Sequence, residues 1–278
     1  MSNKVILVVV DGAGYDSMLS ECGFLEGLVE AGKGHRWLMK ACLPSLSAPL
    51  YKTLHTGLAP VDHGLTSNEV LRPATKPNVF SSARDAGKTT AAVAHSFFFD
   101  IFCGRPYDRL LDIETDDESL AIQHGRYYSM EHYNRANACQ MAEIDLFAQA
   151  HTLVRKHGPD YLLVHSSSTD TIGHFHTSDS AQYRFQIWAV DNALARVLPL
   201  WRELGYEVLV TADHGMTTDG SHGGTSELAR RVAFYYFGDR DAAPDADCIL
   251  DQRIVAPTLM SIMGVEGHAL PKRDLFSA

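Results

Sequence analysis

The stretch Val5-Ile6-Leu7-Val8-Val9-Val10 limits the possible folds more than any other part of the 278-residue sequence. Six successive apolar, mostly β-branched residues leave no polar face, so a strand built from them is buried on both sides. A parallel sheet covered by helices provides that environment, and its strands are joined by long crossover connections. Asp11-Gly12-Ala13-Gly14 follows where the strand ends. In open parallel sheets ligands bind outside the C-terminal ends of the strands. Asp11 is therefore either a helix N-cap or a functional carboxylate, and taken alone its position suits both.

The same arrangement recurs twice. Tyr161–His165 reads as a short apolar strand, followed by Asp170 and His174, four residues apart with Gly173 between. Glu207–Val210 reads as another, followed by Thr211-Ala212-Asp213-His214-Gly215-Met216 and then His222-Gly223-Gly224. Gly215, Gly220, Gly223 and Gly224 allow a sharp turn that returns His222 to the same place. Asp offers oxygen and His nitrogen, a mixture that Zn²⁺ accepts at about 2.0–2.2 Å. One Asp-His pair by itself reads as a capping acid beside a solvated imidazole. Three strand exits on one sheet edge bring six potential ligands together (Asp11, Asp170, His174, Asp213, His214 and His222), and that convergence points to metal.

Elsewhere strands and helices alternate. Tyr15–Ala31 has helical spacing of Met18, Leu19, Phe24, Leu25 and Leu28. Pro44 and Pro49 bracket a turn that leads into a helix containing Leu50 and Leu54, with Pro49 in a first turn that tolerates it. Ser47 then lies at or near a helix N-terminus, either as its cap or facing an anion held by backbone N–H groups. Asn68 ends the turn-rich loop that begins at Thr56, as a turn residue or a hydrogen-bond donor to a ligand. Lys88–His95 and Ala233–Phe237 read as strands, and Cys139–Lys156, Ser180–Leu204 and Ala256–Met263 as helices. The pattern degrades over residues 97–137, where Phe97, Tyr107 and Tyr133 sit among Asp116, Asp117 and Glu118. This span is expected to be a small cap inserted over the ligand edge. The alternation predicts one α/β domain over residues 1–278, a doubly wound, mostly parallel sheet with helices on both faces.

Net charge is −10 and the pI about 5.7, which leaves no electrostatic footprint for a nucleic-acid polymer or an anionic membrane. No apolar run reaches the roughly 18 residues of a membrane helix, and Val5–Val10 is too short for a signal-peptide core. The five cysteines are scattered with no CxxC pair, which predicts a reducing, cytoplasmic setting without a disulfide framework. Oligomeric state cannot be argued from composition.

Taken together the motifs resemble the alkaline phosphatase superfamily, and within it the type I phosphodiesterase/nucleotide pyrophosphatase family. The strand-Asp-Gly opening matches at Asp11. The family's nucleophile turn, Pro-Thr-x-Thr-x-Pro-Asn, reads here as Pro44-Ser45-Leu46-Ser47-Ala48-Pro49-Leu50. Thr-Gly-x-x-Pro-x-x-His-Gly-x-x-x-Asn runs from Thr56 to Asn68, and the Asp170/His174, Ala212–Met216 and Ser221–Gly224 motifs complete the set. The resemblance implies two divalent cations, usually zinc. One would be held by Asp170, His174 and His222, the other by Asp11, Asp213 and His214 with Ser47 beside it. It further implies Ser47 as nucleophile, a phosphoseryl intermediate, and a phosphoryl oxygen bound by Asn68 together with a backbone N–H near Ala48. The substrate would be a small-molecule phosphate ester, hydrolysed at a phosphodiester bond. Departures are a Ser in place of the usual Thr nucleophile, Leu50 in place of Asn, and no Arg shortly after Ser47. Tyr51 stands where a sulfatase turn would carry Arg. A missing guanidinium favours a monoanionic diester over a dianionic monoester. A phosphonate hydrolase of the phosphonoacetate type and a phosphomonoesterase remain alternatives, and a non-catalytic binding protein on the same scaffold is a third.

Overall fold

The computed structural model describes residues 3–130 and 141–277. Nine strands form one sheet: β1 (Lys4–Val10), β2 (His35–Lys40), β3 (Thr90–His95), β4 (Glu114–Asp116), β5 (His124–Tyr128), β6 (Tyr161–Ser166), β7 (Tyr206–Thr211), β8 (Arg231–Phe237) and β9 (Ile249–Asp251). Their spatial order is β4-β5-β3-β6-β1-β7-β8-β2-β9. The run β5-β3-β6-β1-β7 is parallel throughout, whereas β4, β8 and the β8–β2 pair are antiparallel.

β1 lies at the centre, and Val5 to Val10 have no exposed surface. Each such side chain contributes about 1.5–3 kcal/mol on burial, which is why an uninterrupted apolar strand takes the middle of the sheet. Helices cover it in two layers. Ala181–Glu203 packs with Glu143–His157 and the two short helices near the N-terminus, while Val255–Met263 packs on β1 beside Ser47–Thr56. The sheet is therefore α/β, mostly parallel and covered on both faces, as the apolar run requires.

The helix over Tyr15–Ala31 is divided at Cys22 into Tyr15–Glu21 and Gly23–Glu30. The long helix starts at Ala181, where the Ser180 hydroxyl caps the Tyr183 N–H. In place of Cys139–Lys156 the helix runs from Glu143 to His157, and both Cys139 and Tyr133 lie outside the described residues. Over the described part of the span 97–137, β4 and β5 extend the main sheet and Phe98, Phe99, Ile101 and Phe102 join the core, while residues 131–137 lie outside the described residues. β5 reads His-Gly-Arg-Tyr-Tyr and has no apolar run to announce it. It is a strand because β3 offers it a parallel partner, from Ala91↔His124 to His95↔Tyr128.

Candidate metal centre and nucleophile

β6, β1 and β7 are adjacent and parallel, so their C-terminal ends open on one edge. Asp11 follows β1 directly, Asp213 lies two residues beyond β7, and Asp170 and His174 lie on the helix Ser168–His176 that leaves β6. His222 returns on the glycine-rich loop. That loop is pinned where Ser45 bridges Gly223 and where the Ser45 hydroxyl accepts from the Gly223 N–H at 3.1 Å. Gly12 makes the close approach possible. It has φ +71, and a Cβ there would meet the Asp170 Cα at 2.8 Å.

All six side chains converge, in two groups. His214 Nε2 is 3.2 Å from Asp213 Oδ2 and 3.5 Å from Asp11 Oδ1. His174 Nε2 is 3.3 Å from Asp170 Oδ2, and His222 Nε2 is 3.4 Å from Asp170 Oδ1 and 3.2 Å from His174 Nε2. The groups touch where the His214 and His222 rings stack at 3.8 Å.

Three features fit this pair of groups to divalent cations. First, each imidazole is committed by its other nitrogen. The Nδ1 atoms of His214, His174 and His222 lie 3.0, 2.8 and 3.0 Å from the carbonyl oxygens of Gly215, Gly220 and Ser45. Nδ1 therefore carries a proton, and all three Nε2 atoms face inward, an orientation suited to metal ligation. Second, Asp11 Oδ1, Asp170 Oδ1 and Asp213 Oδ2 are buried with no hydrogen-bond donor. Third, the charges conflict without a cation. Burial, then Asp11 and Asp170, pushes the Asp213 carboxyl well above the usual carboxylate range. Burial acts on Asp11 in the same direction, but His165, His214 and Tyr51 outweigh it and hold its carboxyl well below that range. The Asp170 carboxylate lifts His174 to about 9, while burial and His222 push His214 down to about 4.

Ser47 opens the helix Ser47–Thr56, all ten residues of which are buried. Its hydroxyl is 3.2 Å from His214 Nε2, and because Nδ1 holds the ring proton, the hydroxyl donates. The Ala48 N–H donates to Asn68 Oδ1 at 2.9 Å, so that N–H orients Asn68, and the Asn68 amide NH₂ is the donor left over. A cavity of about 440 Å³ adjoins the centre. It is lined by Asp11, Ser47, Tyr51, Asn68, His95, Phe97, Met130, Ser167, Asp170, Thr171, His174 and Phe175, with no Lys or Arg among them.

Sequence reasoning missed the groups behind the ligands. Tyr51, one helical turn after Ser47, donates a short hydrogen bond to Asp11 Oδ2, and His165 Nε2 lies 3.2 Å from the same oxygen. These contacts leave Oδ1 without a hydrogen-bond partner, as the oxygen open to a cation. His165 is held in turn by the Tyr128 hydroxyl at 2.8 Å. Glu143, buried at the start of its helix, accepts from the Ser166 hydroxyl at 2.9 Å and, more closely, from that of Ser168, bracing the turn that carries Asp170. The Tyr51 position was visible as a departure from the sulfatase turn. Nothing local marked His165 or Glu143.

The family model for type I phosphodiesterase / nucleotide pyrophosphatase matches residues 5–224. Murine ectonucleotide pyrophosphatase/phosphodiesterase 5 superposes with a TM-score of 0.70 at 14% identity, over 99% of this chain and 100% of that one. A protein solved with its substrate D-glucosamine-2-N,6-O-disulfate gives a TM-score of 0.66 at 13% identity, over 97% and 78%. Among sequences, the catalytic subunit of GPI ethanolamine phosphate transferase 3 from Mus musculus is 21% identical over 95% of this chain and 24% of its own length. The 2,3-bisphosphoglycerate-independent phosphoglycerate mutase of Roseobacter denitrificans is 34% identical over 39% of this chain and 22% of its own. The chain thus spans about a quarter of the length of these curated relatives. With the match extending from β1 past His222, the chain belongs to the type I phosphodiesterase/nucleotide pyrophosphatase family.

Proposed function

We propose that this chain hydrolyses a phosphodiester or pyrophosphate bond in a small molecule, with Ser47 as nucleophile and two divalent metal ions as cofactors. The observation that carries this reading is the convergence of three orphaned carboxylate oxygens and three inward Nε2 atoms around the Ser47 hydroxyl. Asp170, His174 and His222 would hold one ion, and Asp11, Asp213 and His214 the other. The oxygen and nitrogen ligands suit zinc, which would lower the pKa of a coordinated hydroxyl and stabilise charge on the leaving oxygen.

The protein's own groups do the rest. A Ser–His dyad without metal is a poor alternative, since His214 at about 4 is too weak a base to activate a serine near neutral pH. The helix N-terminus at Ser47 favours negative charge on the phosphoryl group, and the Asn68 amide reaches a phosphoryl oxygen from the side. Ser47 Oγ attacks phosphorus as the ester oxygen leaves with a proton, giving a phosphoseryl ester that water then cleaves. The described residues that line the pocket include no Lys or Arg to meet the second charge of a monoester, so a monoanionic diester is the expected substrate class. No nucleic-acid polymer or membrane is invoked, and no described helix is long and apolar enough to cross a membrane. Among the described residues Cys22, Cys42, Cys103 and Cys248 are free thiols.

The test is turnover of matched aryl phosphodiester, phosphomonoester and phosphonate substrates by zinc-loaded protein. The diester is expected to dominate in kcat/KM, and Ser47→Ala is expected to lose at least about a thousandfold. Chelator-insensitive turnover would refute the metal assignment, and a dominant monoester or phosphonate rate the substrate class.

A further inference from the structure

A second convergence of acid and imidazole lies at the opposite end of the sheet. Asp116 ends β4 and His124 begins β5, and the two are direct cross-strand partners. His157 is the last residue of the helix Glu143–His157, just before Gly158 turns into the left-handed region. His124 Nδ1 makes a short hydrogen bond to Asp116 Oδ1, and His157 Nε2 is 3.9 Å from the same oxygen. Both imidazole side chains are nearly buried, at 11% and 13% exposure, whereas Asp116 is open to solvent at 53%. The two rings stack at 3.7 Å with a 16° tilt.

We propose that Asp116, His124 and His157 form a further divalent-metal site, an Asp-His-His clip that ties the β4–β5 edge hairpin to a helix C-terminus. One carboxylate oxygen and two imidazole nitrogens suit zinc or nickel, with water completing the shell. The negative end of the helix dipole at His157 favours a cation there. Lys156 Nζ competes only weakly, at 3.7 Å from the other oxygen, Asp116 Oδ2. Binding requires the stacked rings to fan apart, a side-chain rotation at a helix end and a strand start. The site is independent of Ser47. In the parallel pairing with β3, His124 aligns with Ala91 and lies about 13 Å along the strand from the ligand edge.

The experiment counts metal. Untagged protein is stripped with chelator, equilibrated at buffered free zinc and analysed for zinc per chain, with aryl phosphodiester turnover measured on the same samples. Asp116→Asn and the double variant His124→Ala/His157→Ala are each expected to bind one equivalent fewer than the unaltered protein, with turnover unchanged. Zinc is also expected to raise the Tm of the unaltered protein more than that of Asp116→Asn, which keeps both rings and tests the site even if the double variant folds poorly. Equal zinc content in the unaltered protein and Asp116→Asn overturns the proposal, as does loss of zinc that tracks loss of turnover. If the Ser47 centre binds fewer ions than proposed, the totals fall but the one-equivalent difference persists, so the two readings fail separately.

Discussion

The side chains of Asp11, Asp213 and His214 expose 5%, 0% and 0% of their surface, whereas those of Asp170, His174 and His222 expose 17%, 41% and 6%. The inner triad is therefore shut off from water, while the outer one opens through His174. Burying two carboxylates together costs several kcal/mol unless a cation or a proton balances them. Asp213 accordingly shifts toward its neutral form, and Asp11 relies on Tyr51 and His165. The outer carboxylate has two imidazoles on it and partial access to solvent. Chemical likeness thus conceals a physical difference: under the two-ion proposal the inner group would depend on a cation for charge balance, and the outer group would exchange its cation and admit water.

The sharpest way to break this comparison is Asp213→Asn. It is expected to lower kcat/KM by at least about a thousandfold, while raising the Tm of metal-free protein because a buried carboxyl crowded by Asp11 and Asp170 is replaced by an amide that never ionises. A lower metal-free Tm in this variant would show that the inner triad is not strained. His174→Ala is expected to cost less, about ten- to a hundredfold, and to recover partly at high free zinc, since one ligand of an exchangeable site is lost. Identical metal dependence of both variants would erase the inner–outer distinction. Chelator is expected to remove metal in two phases, the fast one abolished in His174→Ala. Tyr51→Phe keeps the ring stacked on Phe98 and removes only the hydroxyl on Asp11, so a loss of about tenfold in inner-site affinity is expected, measured by competition with a zinc indicator.

The smallest effect is in pH dependence. Asp213 and His174 both have folded-state pKa values raised above their unfolded ones, so the folded protein binds more protons than the unfolded chain, and stability is lost as pH rises. His214 has the opposite shift, but it acts between about 4 and its ordinary value near 6.5. Metal-free protein is thus expected to lose stability between about pH 7 and 9, where His214 no longer contributes. Bound zinc should flatten that slope and Asp213→Asn should reduce it, as read from denaturant midpoints.

The convergence was legible because each of the six side chains sits at a place the sequence marks. Asp11, Asp170 and Asp213 follow apolar runs, and the glycines around His214 and His222 announce a turn. Ser47 was legible through its flanking prolines. The layer behind them was not. His165 falls within the apolar run read as a strand, Glu143 within the helix expected over Cys139–Lys156, and Tyr51 drew notice only for standing where a sulfatase turn would carry Arg. Their roles come from contacts 23 to 154 residues away in the chain, which no local pattern encodes. The edge strands failed for a related reason. β4 and β5 carry too few apolar side chains to show a period, and it is their neighbours that make them strands.

The sequence by itself determined the parallel sheet and the chemical kind of its ligand edge, because burial of an all-apolar strand and the placement of acids at its exit are local properties of the chain. Only the tertiary structure decided which oxygen of Asp11 is left for a cation, which nitrogen of each imidazole faces inward, and that the Ala48 N–H holds Asn68. Those choices are hydrogen bonds between distant elements, and they exist only once the strands have set the spacing between them.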